Sequence, residues 1–172
     1  RAIQHRLKVS ENDRLIFNLR RVVRQNFTST TESLLLAIDA KDSYTANHSK
    51  RVSYLFSFVA AELDINNTQI EKLRYGTFFH DIGKIGVNDN ILTKAGGLTV
   101  EEFDIMKRHP TIGFNILEPI ESLKESLPLV RHHHEWFNGE GYPDGLKGEQ
   151  ISSEVTIFAI VDVYDALTTD RH

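Results

Sequence analysis

The sequence contains no cysteine, one methionine, one tryptophan and four prolines among its 172 residues. Without cysteine there can be no disulfide framework and no thiolate metal site, so imidazole and carboxylate groups remain as the strong metal ligands. No apolar run approaches the roughly 18 residues that a membrane span requires, and the first residues do not follow the order of a signal peptide. We therefore expect a cytoplasmic protein with no membrane span in this chain.

The net charge of −4 is unevenly distributed along the chain. Residues 1–30 hold seven Lys and Arg against two Asp and Glu, a balance of +5, whereas residues 31–172 hold thirteen against twenty-two, a balance of −9. A basic arm can indicate nucleic-acid binding. Here the arginines alternate at helical spacing with an apolar stripe, which favours a linking or pairing helix over a DNA-binding arm. The stripe consists of Leu15, Ile16, Leu19, Val22, Val23 and Phe27.

Hydrophobic periodicity predicts an all-α fold with almost no strands. We expect a break at Asp42 and a loop over 86–97. Thr99 and Glu102 form a capping box that opens a helix toward Leu117, and Ser152 or Ser153 begins the last helix. The predicted helices cover 12–41, 43–64, 68–81 with an end near Gly83, 99–117, a short stretch from 127 into the histidines, and 153–169.

Charged residues interrupt the apolar stretch YGTFFHDIGKIG, residues 75–86. Burying His80 and Asp81 without partners would be costly, and a metal ion satisfies both groups. Lys84 points the same way if the helix continues through this stretch. A buried Asp–His hydrogen bond explains an isolated pair equally well, so this stretch by itself leaves both interpretations open.

The last helix contains a similar interruption. In VTIFAIVDVYDAL, residues 155–167, Asp162 lies in an apolar run that otherwise belongs in a core, and Asp165 follows on the same face. These carboxylates either bind a metal or serve the structure, by pairing with a core arginine or capping a loop.

A third unusual stretch is HHHEWFNGEGYP, residues 132–143. His133 and His134 are about 100° apart on a helix, so they serve two neighbouring metal positions, or one binds while the other packs outward. We expect His132 at the surface. Glu135 either orients an imidazole or is an exposed carboxylate at the helix end. The residues that follow force a turn in which glycine lets the backbone approach a ligand; they are Asn138, Gly139, Gly141 and Pro143.

Two further histidines, His48 and His109, are each explained by a structural role when taken alone. Pro110 makes a helix bend or restart at His109. Together the candidates are five histidines and two aspartates. That set exceeds the needs of one four-coordinate zinc and suits two six-coordinate ions bridged by a carboxylate.

From about Asp42 to Arg171 the chain closely resembles the HD-GYP domain, a branch of the HD phosphohydrolase superfamily linked to degradation of cyclic di-GMP in bacteria. The resemblance rests on an ordered set of motifs at the spacing of the family. They read YTANHSKRV, HDIGKIG, ILTKAGGLTVEEF, MKRHPTIG, HHEWFNGEGYPDGL and IVDVYDAL. The resemblance implies an HD-type helical bundle over 42–172, preceded by a linker or dimerisation helix over 1–41.

The resemblance also implies roles for individual residues. Asp81 would bridge the metals, Lys84 would contact the scissile phosphate or the attacking hydroxide, and Arg171 would recognise the nucleotide. The substrate pocket would be shaped by Gly141, Tyr142 and Pro143. Tyr44 stands where trinuclear members have glutamate, so we expect two ions, iron or manganese, with nickel, zinc and magnesium as alternatives. The implied metal ligands are His48, His80, Asp81, His109, His133, His134 and Asp162.

The implied activity is hydrolysis of cyclic di-GMP to pGpG by a hydroxide held between two metals, with further cleavage to GMP left open. Alternatives are a metal-loaded cyclic-dinucleotide sensor, a phosphodiesterase for another cyclic dinucleotide such as cyclic GMP-AMP, and a purely structural interaction domain, which fits poorly with seven intact ligand positions. Asn138 replaces the usual aspartate, and His172 replaces the usual proline directly after Arg171. Because the sequence ends directly after these residues, we expect a domain truncated after Arg171. The resemblance further implies that the N-terminal helix forms a homodimer through residues 12–35 and joins an upstream sensory or receiver domain.

Overall fold

The computed structural model describes residues 2–41 and 45–169, with side chains for 12–36, 41 and 48–169. The described residues form α-helices and short 3₁₀ helices and contain no β-strand, which confirms the predicted all-α class. The α-helices are α1 (Ala2–Lys41), α2 (Thr45–Glu62), α3 (Asn67–Phe79), α4 (Asp89–Leu92), α5 (Val100–Met106), α6 (His109–Leu117), α7 (Leu127–His132) and α8 (Ser153–Thr168). The 3₁₀ helices cover Ile82–Gly86, Glu121–Ser126 and Gly148–Gln150.

The chain divides into two compact units, Arg1–Leu36 and Ala37–His172. The first unit is most of α1, which begins at Ala2, ten residues before the predicted start. Residues 2–11 contain neither glycine nor proline, so nothing in their sequence interrupts the helix. The predicted break at Asp42, the start of the next helix at Ser43, and Tyr44 lie outside the described residues.

The core of the second unit lies between α2, α3, α7 and α8. Val52, Phe56 and Ala60 follow each other at four-residue spacing on α2 and are fully buried, together with Leu129 on α7 and Phe158 on α8. His48 lies one turn before Val52 on the same face of α2. The apolar periodicity that builds the core therefore also turns this histidine inward.

The predicted end of the third helix, at Asp81 near Gly83, is wrong. α3 ends at Phe79, and the chain continues as a 3₁₀ helix in which the Lys84 amide donates to the Asp81 carbonyl at 3.0 Å. A Cβ on Gly83 would collide with the carbonyl oxygen of His109, so the missing side chain lets α6 cross directly over this segment. This close crossing brings His109 beside Asp81.

The predicted loop over 86–97 contains the short helix α4, because the Asn88 side chain caps it by accepting from the Asn90 amide at 2.9 Å. Other predicted boundaries are confirmed. Thr99 and Glu102 form the capping box of α5, α6 restarts at His109 with Pro110 in its first turn, and Ser152 caps α8. No helix within the described ranges is long and apolar enough to cross a membrane.

Candidate metal centre

Three elements bring together the first group of ligand-type side chains, which we call the His48 cluster: His48 on α2, His80 at the end of α3 and Asp162 on α8. One ligand atom from each of these residues lies within 4.8 Å of the others. Nε2 of His48 is 2.9 Å from Oδ1 of Asp162, and Nε2 of His80 is 3.7 Å from the same oxygen. These three side chains, far apart in sequence, can contact one cation.

The second group, the His109 cluster, consists of His109 at the start of α6 and His133 and His134 directly after α7. Their ligand atoms also lie within 4.8 Å of one another. Nε2 of His109 is 3.3 Å from Nε2 of His133, and the ring centroids of His133 and His134 are 4.1 Å apart. Adjacent histidines thus share one cluster, and neither packs outward.

Asp81 lies between the two clusters. Its Oδ2 is 3.4 Å from Nε2 of His80 in the His48 cluster, and its Oδ1 is 3.3 Å from Nε2 of His109 in the His109 cluster. Nζ of Lys84 is 2.8 Å from Oδ2. One carboxylate therefore presents a separate oxygen to each cluster, as a bridging metal ligand does.

Backbone carbonyls fix the tautomers of three histidines. Nδ1 of His80, His109 and His133 contacts the carbonyl oxygen three residues earlier at 2.9, 2.8 and 2.9 Å. A carbonyl oxygen only accepts, so Nδ1 carries a proton in each ring, and Nε2 is the nitrogen that faces the centre and remains available to a metal ion. For His109 and His133 this places two buried lone pairs 3.3 Å apart. A divalent cation satisfies both, so the residues present fit a metal.

The two clusters differ in charge. Burial lowers the pKa of His80, but Asp81 and Asp162 outweigh it and raise this pKa to about 9. Burial, reinforced by neighbouring His109, lowers the pKa of His134 to about 4. Burial also opposes ionisation of Asp81, yet Lys84 and His80 hold its pKa well below the ordinary value. At neutral pH the His109 cluster is an uncharged nitrogen donor set beside ionised carboxylates, the electrostatic environment that favours a cation.

The turn after the histidines is held by Glu135, which is 4% exposed. Its Oε1 accepts from the amides of Asp144 and Gly145 at 2.7 and 3.2 Å, and its Oε2 accepts from the Leu146 amide at 2.9 Å. Both roles expected for Glu135 are therefore wrong, because it neither orients an imidazole nor lies exposed. A buried carboxylate needs several donors, and this turn supplies three.

Gly141 and Tyr142 bring this turn against the His109 cluster. The Tyr142 amide donates to the His134 carbonyl at 3.1 Å, and a Cβ on Gly141 would collide with the backbone of 134–136. The Tyr142 ring lies 4.8 Å from the His134 ring at an interplanar angle of 36°. Burial, with a smaller contribution from Asp81, raises the pKa of Tyr142, so its hydroxyl stays protonated and can donate.

Asn138 and His132, which were also considered in the sequence, belong to neither cluster. Asn138 is exposed and closes the turn, donating to Glu140 Oε2 at 2.8 Å and accepting from the Glu140 amide at 2.9 Å. The expected surface position of His132 is only partly right, since its side chain is 21% exposed and contacts Asp144 at 3.0 Å. Arg171 lies outside the described residues.

Asp165 contacts His48 and pairs with Arg51. Asp165 is 3% exposed; one of its oxygens contacts Nδ1 of His48, and Arg51 donates to both of its oxygens. The structural alternative, a pair with a core arginine, is met only in part, because Asp165 does pair with an arginine but the Arg51 side chain is 38% exposed. Arg51 was not singled out from the sequence, and its signal was its position three residues after His48 on the same helix.

The model of the family described as HD domain matches residues 32–172 of this sequence. The chain belongs to the HD domain family. The HD motif of this family coincides here with His80 and Asp81, at the point where the two clusters meet. Membership is therefore supported both by the sequence match and by the place of the motif in the structure.

Curated relatives of this HD domain protein are phosphodiesterases of cyclic dinucleotides. The cyclic di-GMP phosphodiesterase response regulator RpfG of Xanthomonas campestris is 34% identical over 99% of this chain and 43% of its own length. A cyclic di-GMP phosphodiesterase of Thermotoga maritima is 40% identical over 81% and 39%. The 3'3'-cGAMP-specific phosphodiesterase 3 of Vibrio cholerae is 37% identical over 78% and 29%. The predicted family is confirmed, and the chain spans less than half the length of these relatives.

Solved structures support the HD fold independently. Bd1817, a HDG"Y"P protein from Bdellovibrio bacteriovorus, matches 81% of this chain and 53% of its own with a TM-score of 0.62 and 21% identity. The HD domain of the Listeria monocytogenes phosphodiesterase PgpH, in complex with cyclic-di-AMP, matches 81% and 75% with a TM-score of 0.58 and 21% identity. The predicted HD-type helical bundle is confirmed.

Proposed function

We propose that this HD domain is a metal-dependent phosphodiesterase that hydrolyses cyclic di-GMP to pGpG. The observation that carries the proposal is Asp81, whose two oxygens face Nε2 of His80 and of His109 at 3.4 and 3.3 Å. That geometry suits two ions sharing one carboxylate. The cyclic di-GMP phosphodiesterases among the relatives support the substrate class.

The ions would be held by the two clusters and Asp81, seven side chains in all. When bound, two divalent ions supply a hydroxide nucleophile at neutral pH and neutralise charge on the phosphate. Iron and manganese suit the mixed imidazole and carboxylate donors, with nickel, zinc and magnesium as alternatives. The proposed ligands are His48, His80, Asp162, His109, His133, His134 and the bridging Asp81.

Around this centre Lys84 supplies a positive charge, and Tyr142 lines the proposed substrate pocket. Lys84 keeps its ammonium 2.8 Å from Asp81 with a side chain only 18% exposed, so its charge acts where water is scarce. Tyr142 forms the wall beside His134, held by the Gly141 turn and by Glu135. The residues proposed to bind the substrate are Gly141, Tyr142, Pro143 and Arg171.

The test is turnover of the purified chain with cyclic di-GMP, loaded with Mn²⁺ or, under anaerobic conditions, Fe²⁺. We expect pGpG to appear, to vanish after chelation and dialysis, and to return when metal is restored. Tight binding of cyclic di-GMP without product under every metal loading would contradict hydrolysis and support a sensor. Elemental analysis of the same samples gives the number of ions per chain.

A second substrate is favoured by a specific observation. Three relatives from Vibrio cholerae, 30% to 37% identical, are named 3'3'-cGAMP-specific phosphodiesterases. Both substrates carry the same phosphodiester linkage, so the metal centre described above does not separate them. Competition between the two dinucleotides in one reaction assigns the preference, and faster consumption of 3'3'-cGAMP would replace cyclic di-GMP as the substrate.

We also propose a homodimer through residues 12–35 of α1. Leu15, Leu19 and Val22 recur at heptad spacing and are 57%, 54% and 46% exposed, and Asn26 continues the seam as a polar position that fixes register. Changing Leu19 and Val22 together to glutamate is expected to convert a dimer to a monomer in sedimentation. Arg20→Glu with Arg24→Glu on the basic face is the matched control, and a dimer that survives the first pair of changes would place the contact elsewhere.

The setting of the domain is a further part of the proposal. RpfG is named a response regulator, and this chain spans 43% of its length. We propose that an upstream sensory or receiver domain, which acts through α1, accounts for part of the remaining length. A cytoplasmic location, where cyclic dinucleotide signals are degraded, fits the proposed activity.

A further inference from the structure

Nδ1 of His48 contacts a carboxylate, whereas Nδ1 of three other clustered histidines contacts a backbone carbonyl. His80, His109 and His133 donate Nδ1–H to a backbone carbonyl three residues earlier. Nδ1 of His48 lies 2.8 Å from Oδ2 of Asp165, a residue 117 positions away in sequence. The orientation of this ring therefore depends on a tertiary contact between α2 and α8.

The two nitrogens of His48 face two different carboxylates. Nδ1 contacts Asp165, and Nε2 lies 2.9 Å from Oδ1 of Asp162, one turn earlier on α8. A neutral imidazole has a single N–H, so it can donate to only one of them. If Asp165 accepts that proton, the Nε2 lone pair and the Asp162 oxygen both face the centre of the His48 cluster, as two ligands of one cation would.

Arg51 holds in place the carboxylate that lies behind Nδ1 of His48. Its Nε donates to Oδ1 of Asp165 at 2.7 Å and its terminal nitrogen to Oδ2 at 2.8 Å. This bidentate pair locks the plane of a carboxylate that is 3% exposed and balances its charge. Asp165 can therefore remain ionised and immobile behind His48.

We propose that Asp165, locked by Arg51, is a positioning residue that holds His48 in the tautomer and orientation required for metal binding by the His48 cluster. The inference rests on the proposed metal-dependent function. A carboxylate behind a metal-binding histidine also makes the ring a stronger donor than a backbone carbonyl does, and its loss typically lowers metal affinity by about 10–100-fold. The effect is confined to the His48 cluster, since Asp165 contacts neither His109 nor His133 within the described hydrogen bonds.

The experiment compares Asp165→Asn with a matched control in the full chain. Asp144 accepts the same set of contacts, from Nε and a terminal nitrogen of Arg131 at 2.7 Å each and from His132 at 3.0 Å. Neither His132 nor Arg131 belongs to a cluster. Asp144→Asn thus alters a similar arginine and histidine network, on a carboxylate that is 34% rather than 4% exposed, at a place where no metal is proposed.

Metal binding is measured by equilibrium dialysis against Mn²⁺, with circular dichroism as a check on folding. We expect two tightly bound ions per chain for the wild type and for Asp144→Asn. For Asp165→Asn we expect one tight ion and a second whose affinity is about 10–100-fold weaker. Two unchanged ions in Asp165→Asn, or equal weakening of both, would overturn the inference.

Two further arms keep the interpretation unambiguous. If Asp165→Asn does not fold, Arg51→Lys replaces it, because lysine retains the charge but loses the planar fork; selective weakening of one ion supports the inference and unchanged binding overturns it. A wild-type chain that takes up no metal would instead contradict the proposed function itself. The two failures are therefore distinguishable in one data set.

Discussion

Asp81→Ala is expected to lower turnover of cyclic di-GMP by roughly 10³-fold or more, the largest loss among the substitutions considered for this chain. Asp81 is the side chain that faces both clusters, so its removal affects the sites of both ions. Each bound ion stabilises the transition state by several kcal/mol, and about 4 kcal/mol corresponds to a factor of ~10³ in rate. The measurement is kcat with saturating cyclic di-GMP, together with the metal content of the variant.

A matched control exists on α5. Asp104 and Lys107 form a pair with the same three-residue spacing as Asp81 and Lys84, at 2.6 Å, on the surface. Asp104→Ala removes an aspartate paired with lysine but touches neither cluster, so its turnover and metal content should match the wild type. Turnover of Asp81→Ala within tenfold of the wild type, at unchanged metal content, would show that the bridging role is wrong.

The helices and their caps could be predicted from the sequence because the signals are local. Thr99 and Glu102 are three residues apart, Pro110 lies next to the helix start at His109, and Ser152 caps the segment that follows it. The proposed metal ligands are a different case. A single histidine such as His48 or His109 is ambiguous alone. Only the ordered set of motifs, through the family resemblance, indicates that these histidines belong to one metal site.

What the sequence did not predict depends on contacts between distant segments. The 3₁₀ helix after Asp81 forms where Gly83 meets the backbone of α6, and helical periodicity carries no information about that crossing. Arg51 and Asp165 are 114 positions apart, so their pairing was visible only as one alternative for Asp165. The buried role of Glu135 could not be predicted for the same reason, since its amide donors come from a turn that folds back over it.

Lys84→Met is expected to lower kcat by about 10²–10³-fold, the loss typical of removing one preorganised charge or donor from a transition state. The physical reason is the position of the ammonium, which lies 2.8 Å from Asp81 on a side chain 18% exposed, where little water screens its charge. Methionine keeps most of the length and apolar volume of lysine, so packing changes little. KM should change less than kcat, because the interaction strengthens as charge develops on the phosphate.

Metal content separates two ways in which Lys84 could act. The charge of Lys84 is the largest single cause that lowers the pKa of Asp81 against the opposing effect of burial. If that were its whole role, Lys84→Met would take up less metal at neutral pH, and kcat would recover when metal is raised to saturation. If Lys84 acts on the phosphate, kcat stays low with both ions bound. We expect the second result, with Lys107→Met as the control, because a bound cation itself keeps Asp81 ionised and makes the lysine dispensable for that purpose.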